Sequence, residues 1–277
     1  LDCKQNEFTD SINVRSGVHE LPATRIEAEA IGHSLQKLKY KTELFIDTIG
    51  TEASFKNLSR KKIRLVHIAT HGFYWTEQEA KYHTYLSFLS LDDNKNGMTE
   101  DKALTRSGLL FAGANNTLMG KKIPKNVEDG ILTAREISQL DLRGLDLVVL
   151  SACQTGLGEI TSDGVFGLQR GFKKAGAGSL IMSLWKVDDD ATQLLMTQFY
   201  KNISSGQSKY EALRSAQNYV RTYEVKKEPH GESNSTDVAH GKILARRNES
   251  KSIVPETQRK YNDPKYWAAF ILLDALN

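Results

Sequence analysis

The chain has 277 residues, 39% of them hydrophobic and 26% charged, with a formal net charge of +3. That length suits one large domain or two small ones, and the composition is that of an ordinary globular protein. The weak charge, without an aromatic-interleaved basic patch, argues against nucleic acid, and no apolar run approaches the roughly 20 residues that span a bilayer.

No cleavable signal is read at the start, and Leu1 in place of Met fits a piece of a longer protein. Cys3 lies in a polar terminus and Cys153 ends an apolar run. Two such cysteines argue against a disulfide framework and point to a reducing, cytoplasmic setting.

Residues 1–20 form a polar lead-in without a clear period. A helix is predicted from Thr24, with Glu27 completing a capping box and Ile31, Leu35 and Leu38 on one apolar face. Leu44 to Ile49 reads as a strand and residues 51–59 as a short helix. Ile63 to Thr70 is an apolar run closing on His71-Gly72, and Tyr85 to Leu91 is another short strand. From Asp92 to Asn126 the sequence reads as loops around one apolar island, Leu109 to Ala112. Thr133 and Glu136 form a second capping box, for a helix carrying Ile137 and Leu140.

Asp146 to Ala152 is apolar without interruption, as a central parallel strand requires. Asp163 reads as the N-cap of a helix bearing Val165, Leu168 and Phe172, stopped by Gly176. Ser179 to Val187 is the next central strand. Two amphipathic helices follow, one with Leu194, Leu195, Phe199 and Ile203, the other capped by Ser208 with Glu211 and carrying Tyr210, Leu213 and Val220. Residues 223–262 are polar and aperiodic, include Arg246-Arg247, and read as a long insertion. Tyr266 to Leu273 is the last strand. The alternation of strand and helix predicts an α/β fold with a mostly parallel sheet, in which one domain spans residues 21–277.

Two segments share a design in which an apolar strand ends on a reactive side chain followed by small residues. They are Leu65-Val66-His67-Ile68-Ala69-Thr70-His71-Gly72 and Val148-Val149-Leu150-Ser151-Ala152-Cys153-Gln154-Thr155-Gly156. Ligands of parallel sheets gather at the carboxyl ends of strands. If the two strands are neighbours, the His71 imidazole can take the Cys153 thiol proton or hold the thiolate as an ion pair. The backbone N–H groups of Gly72 and Cys153 could then face an oxyanion. Taken singly, a strand-ending Cys is more often buried filler and a strand-ending His a satisfied polar residue. Spacing alone leaves both readings open. A phosphatase loop is excluded because Glu159 stands where its Arg is needed. Gly156-Leu157-Gly158 lacks the Lys-Ser/Thr of a phosphate loop. His67 and His71 share strand parity, but with Cys153 they lack a fourth zinc ligand, so His67 is read as a core residue.

The strings His67 to Gly72 and Leu150 to Gly156 resemble the CHAT group of caspase-like proteases. The resemblance continues through Asp163-Gly164-Val165, Phe172, Ala175-Gly176-Ala177 and Ser183 to Asp189, and ends with Tyr266-Trp267-Ala268-Ala269-Phe270. It implies a caspase-like three-layer α/β/α sandwich, kinship with separases, gingipains and metacaspases, and a catalytic dyad of His71 and Cys153. It further implies a protein substrate, no cofactor, and an upstream tetratricopeptide-repeat region or an activating partner. Asp188 and Asp189 leave the strand beside the catalytic one, where related proteases place part of the S1 pocket. Helix capping accounts for Asp188, which leaves Asp189 as the better pocket candidate, for a basic P1 residue. Against a basic P1, Ser151 stands where some Arg- or Lys-specific relatives carry an acid. The function so implied is a regulated cysteine endopeptidase. The alternatives are a catalytically silent scaffold and, more weakly, a small-molecule amidase.

Overall fold

The computed structural model describes residues 17–75, 104–151, 159–161, 164–185, 188–226 and 257–274. In chain order the helices are α1 (Pro22–Lys37), α2 (Glu52–Lys56), α3 (Ala114–Leu118), α4 (Ala134–Ser138), α5 (Leu168–Lys174), α6 (Asp189–Ser204) and α7 (Lys209–Arg221). The strands are β1 (Leu65–Ala69), β2 (His71–Tyr74), β3 (Ser107–Leu110), β4 (Ile131–Thr133), β5 (Leu147–Ser151), β6 (Glu159–Thr161), β7 (Gly164–Phe166), β8 (Ser179–Ser183), β9 (Glu224–Lys226), β10 (Thr257–Arg259) and β11 (Phe270–Leu273).

The central sheet has the order β1-β5-β8-β11. β1 and β8 flank β5 in parallel, and β11 closes one edge antiparallel to β8. Side chains alternate across a strand, so the apolar run of β5 feeds both faces. Val148 and Leu150, with Ile68, Leu180 and Met182, pack against Phe55 of α2, Ile137 of α4 and Leu168 and Phe172 of α5. Leu147 and Val149, with Ile181 and Phe270, pack against Ile31 and Leu35 of α1, Leu195 and Phe199 of α6, and Ala216 and Val220 of α7. Helices therefore cover both faces, and the α/β reading with a mostly parallel sheet holds.

A second, antiparallel sheet, β2-β3-β4, encloses a smaller core of Phe73, Trp75, Leu110, Ala114, Leu118 and Ile131. Its strands fit closely because Gly108 lacks a side chain. A Cβ there would stand 2.6 Å from the Leu132 carbonyl oxygen and 2.7 Å from the Phe73 ring.

Both later capping boxes form as read, Thr133 with Glu136 on α4 and Ser208 with Glu211 on α7. The first does not. α1 starts earlier, with Pro22 in its first turn, where a fixed φ suits a helix start. Thr24 Oγ1 donates back to the Leu21 carbonyl, and Glu27 turns inward. Leu44 to Ile49 is not a strand but ends in a 3-10 turn over Asp47–Ile49, with Asp47 at φ 51° and paired to Arg25. Val165 belongs to β7, which pairs with β6, so the following helix begins only at Leu168. Gly176 then stops that helix at φ 91°, a left-handed value that favours glycine. Tyr210 faces outward, 61% exposed. The ends of the 223–262 stretch pair as β9 and β10, and Tyr261 is buried. The predicted strand at Tyr85 to Leu91 lies outside the described residues.

α5 lies directly against α4 at Gly171, where a Cβ would meet the Ala134 carbonyl oxygen at 2.6 Å and its Cα at 3.1 Å. Backbone cannot yield as a side chain can. Gly171→Ala should therefore cost about 1–3 kcal/mol, read as a lower urea midpoint with an unchanged denaturant slope.

Candidate active site

β1 and β5 are neighbours, paired in parallel from Leu65↔Leu147 to Ala69↔Ser151. Ala69 and Ser151 thus stand at one level at the carboxyl edge of the sheet. In sequence His71 follows Ala69 by two residues, and Cys153 follows Ser151 by two. Cys153 itself lies outside the described residues. Ser151, half-buried, is the last residue of β5.

Between Ala69 and His71 the chain changes sheets. Thr70 Oγ1 donates to the Leu110 carbonyl, and β2 begins opposite β3 with His71↔Leu110. His71 thus opens a strand of the smaller sheet and does not close β1. Trp75 N–H donates to the Arg106 carbonyl. By the alternation of an antiparallel ladder this makes Gly72↔Leu109 a non-hydrogen-bonded pair. The Gly72 N–H therefore points away from β3, towards the other side of β2.

The half-buried His71 ring is held through Nε2, 2.8 Å from the His19 carbonyl oxygen. A carbonyl only accepts, so Nε2 carries a proton, and in the neutral ring the lone pair is on Nδ1. His19 sits in the lead-in before α1, a partner that no local sequence signal marked. The lead-in is itself held by Asn115 of α3, whose carboxamide bonds both backbone groups of Val18.

His67 points to the α1/α6 face of the sheet. Nδ1 lies 2.8 Å from the Tyr200 hydroxyl and Nε2 lies 3.0 Å from Glu27 Oε1. The side chains of His67 and Glu27 are only 7% and 11% exposed. Burial first, and the Glu27 charge second, push the Tyr200 phenol well above its usual range, so its proton stays on. Tyr200 then donates to Nδ1 while Nε2–H donates to Glu27. His67 is the core residue that the sequence suggested, and both of its ring nitrogens are engaged.

Because β8 runs parallel to β5, the α6 N-terminus also lies beyond the carboxyl edge. The Asp188 carboxylate caps it, accepting from Ala191 N–H at 3.0 Å. Capping thus describes Asp188, as its position suggested. Asp189 is exposed in the first turn. A groove of about 460 Å³ opens at the opposite, amino edge, between Tyr40, Arg64, Asp146 and Lys209. Among the described residues no helix is long and apolar enough to cross a membrane.

One acidic cluster was not read from the sequence. Glu52, Glu128 and Glu136 come close enough to share a cation. The Lys56 ammonium already stands among them, 2.6 Å from Glu52 and 2.9 Å from each of the other two. Glu52 is 1% exposed and also accepts from Gly130 N–H at 2.8 Å, which ties α2 to the start of β4. Burial raises the Glu52 carboxyl from 4.5 to about 7; the Lys56 hydrogen bond opposes that rise, and the Glu136 and Asp129 charges add to it. Burial pulls the Lys56 ammonium down, but its carboxylate partners outweigh that and hold it above its ordinary value.

The matching family model is that of the CHAT domain, over residues 4–275. Two similar proteins are tetratricopeptide repeat protein 28 of Homo sapiens, 33% identical over 96 residues, and its namesake of Mus musculus, 36% identical over 93 residues. Those matches cover 35% and 33% of this chain, and each spans only 4% of the longer relative.

A carboxyl raised on folding binds its proton more tightly in the native state. Its stabilisation is complete below pH 4.5 and is lost as pH rises through about 7. Chemical denaturation should show stability falling by on the order of 2 kcal/mol across that window. In Glu52→Gln that component of the slope should vanish.

Proposed function

The chain belongs to the CHAT domain family, and we propose that it is a cysteine endopeptidase whose dyad is His71 and Cys153. The observation that carries this reading is the β1–β5 register, in which Ala69 faces Ser151. In sequence His71 follows Ala69 by two residues and Cys153 follows Ser151 by two, which supports pairing the imidazole with the thiol. Two further facts support it. His71 Nε2 is committed to the His19 carbonyl, which fixes the ring and assigns proton transfer to Nδ1. The Gly72 N–H is turned out of the β2–β3 ladder, as a donor to an oxyanion must be.

In this reading the thiol proton passes to His71 Nδ1, and the thiolate attacks the scissile carbonyl. The backbone N–H groups of Gly72 and Cys153 hold the oxyanion of the tetrahedral intermediate. Collapse breaks the C–N bond, Nδ1–H protonates the departing amine, and a thioester remains. Water adds to the thioester, giving its proton to Nδ1, and the thiol leaves with that proton restored. Every proton is accounted for by the imidazole, so the cycle needs no metal or cofactor.

The substrate is a protein, and we assign Asp189 to the specificity pocket, favouring a basic P1 residue. Asp188 serves the helix cap, and Ser151 lines the sheet edge between the two strands. A reducing, cytoplasmic setting keeps the thiol competent. The name of the two relatives supports an association with tetratricopeptide repeats, and we assign such a region, upstream, the role of switching activity. Within residues 21–277 we place one protease domain that carries the polar insertion at 223–262.

Peptidyl acyloxymethyl ketones ending in Arg, Lys, Leu or Asp test this directly. They should label the wild-type chain, in the presence of its partners, and leave Cys153→Ala unlabelled. His71→Ala should lose about 10²–10⁴-fold in labelling rate, and the Arg and Lys probes should lead. Absence of labelling from the full-length protein with its partners would make the chain a silent scaffold.

A further inference from the structure

We propose that Asn115 is a positioning residue for His71, acting through the backbone of residues 17–19. This rests on the dyad reading for its catalytic meaning, but not for its geometry.

The Asn115 carboxamide meets a single residue twice. Oδ1 accepts from Val18 N–H at 2.7 Å, and Nδ2 donates to the Val18 carbonyl at 2.9 Å. One planar amide thereby reproduces the paired donor and acceptor of a neighbouring strand, and it orients the peptide planes on both sides of Val18. The adjacent carbonyl, that of His19, is the one that receives His71 Nε2–H at 2.8 Å. Asparagine suits this arrangement, since aspartate lacks the donor and an aliphatic side chain lacks both groups.

The lead-in can approach because residue 17 is glycine. Gly17 adopts φ +74°, and a Cβ there would stand 2.7 Å from Asn115 Oδ1 and 3.1 Å from Met119 Cε. Val18 also packs on the Phe73, Trp75 and Leu118 cluster. α3 follows β3, and β3 is the strand that pairs with His71. The lead-in is thus held at two points by one small unit, by the Asn115 amide and by the imidazole. Loss of the first contact lets the His19 carbonyl drift, and the ring then loses the acceptor that holds the Nε2 proton.

The test uses the 277-residue chain with ¹⁵N-labelled histidine. Long-range ¹H–¹⁵N spectra report the ring tautomer, and His71 is assigned by comparison with His71→Gln. The wild type should show Nε2–H. Asn115→Ala and Gly17→Ala should both show a mixture of tautomers, while Asn116→Ala on the exposed side of α3 should match the wild type. In parallel, iodoacetamide alkylation of Cys153 is followed by peptide mass spectrometry across pH. Asn115→Ala and Gly17→Ala should slow it at least about tenfold near pH 6, with thermal unfolding showing the variants folded at the temperature used. Gly17→Ala acts from the other side of the contact and gives the same reading should Asn115→Ala not fold.

An unchanged His71 tautomer in the folded variants overturns the proposal, even where wild-type Cys153 is activated and the dyad stands. A tautomer that responds to Asn115 upholds the positioning. If wild-type Cys153 then titrates as an ordinary thiol, it is the dyad reading that falls.

Discussion

The buried hydrogen-bonded set Glu27–His67–Tyr200 fixes where everything at the carboxyl edge of the sheet lands. β5 is apolar on both faces, and β1 nearly so. Burying each of these side chains is worth about 1.5–3 kcal/mol, but the gain is almost the same whichever face a given residue meets. A one-residue slip exchanges the faces of a strand, and an apolar run resists such a slip only weakly. His67 breaks that degeneracy. In the observed register its ring nitrogens meet a carboxylate from α1 and a phenol from α6. Slipped by one, it would enter the Phe55–Phe172 side of the core, and Glu27 and Tyr200 would lose their partner. An unpaired buried polar group costs about 1–3 kcal/mol, more for a charged one, so three such groups hold the strand in place.

That register determines the position of the histidine four residues later. β1 ends at Ala69, level with Ser151, and Thr70 bonds the chain to a different sheet. The imidazole of His71 therefore belongs to a unit whose own packing is tight, through Gly108 against Phe73 and through the short helix α3. Cys153 follows, in sequence, a strand of the large sheet, while His71 opens the small one. The Glu52–Lys56–Glu136 cluster joins α2 to the β4–α4 segment. Glu52 starts α2 and bonds Gly130 at the entry to β4. Its buried carboxylate is the costly member of that cluster, and the Lys56 ammonium is what makes the cost bearable.

What could be read from sequence divides along the same line between local and distant causes. The β5 run, the capping boxes of α4 and α7 and the Gly176 stop are local, and they formed as their residues suggest, while the β8 run forms a strand only as far as Ser183. The Thr24–Glu27 pair had the same local pattern as the other two boxes. It failed because Glu27 has a better use forty residues away, at His67, and because Pro22 starts the helix a turn earlier. Leu44 to Ile46 has strand composition but forms no ladder among the described residues, and Leu44 and Phe45 stay exposed. His71 and Gly72 were legible because an apolar strand leads up to them, and the family resemblance rested on that same string. Asn115 and the His19 carbonyl were not. One sits in a polar run of Gly, Ala, Asn and Thr, and the other is a backbone atom that carries no residue signature.

The lead-in's attachment also sets the energy scale on which anything upstream could act. Among the described residues three hydrogen bonds hold it, two at Val18 and one at His19, and each contributes about 1 kcal/mol net. Their sum is of the order of the 1–3 kcal/mol that couples two sites in regulated proteins. A partner joined to residues before Gly17 would need no contact with the candidate site to affect it. Pulling Val18 off the Asn115 amide would free the His19 carbonyl, and pressing the lead-in down would fix it. The β1–β5 register, by contrast, is held by a full core and would not move. A pull on the lead-in would therefore bear on the orientation of His71 and leave the strand ends themselves fixed.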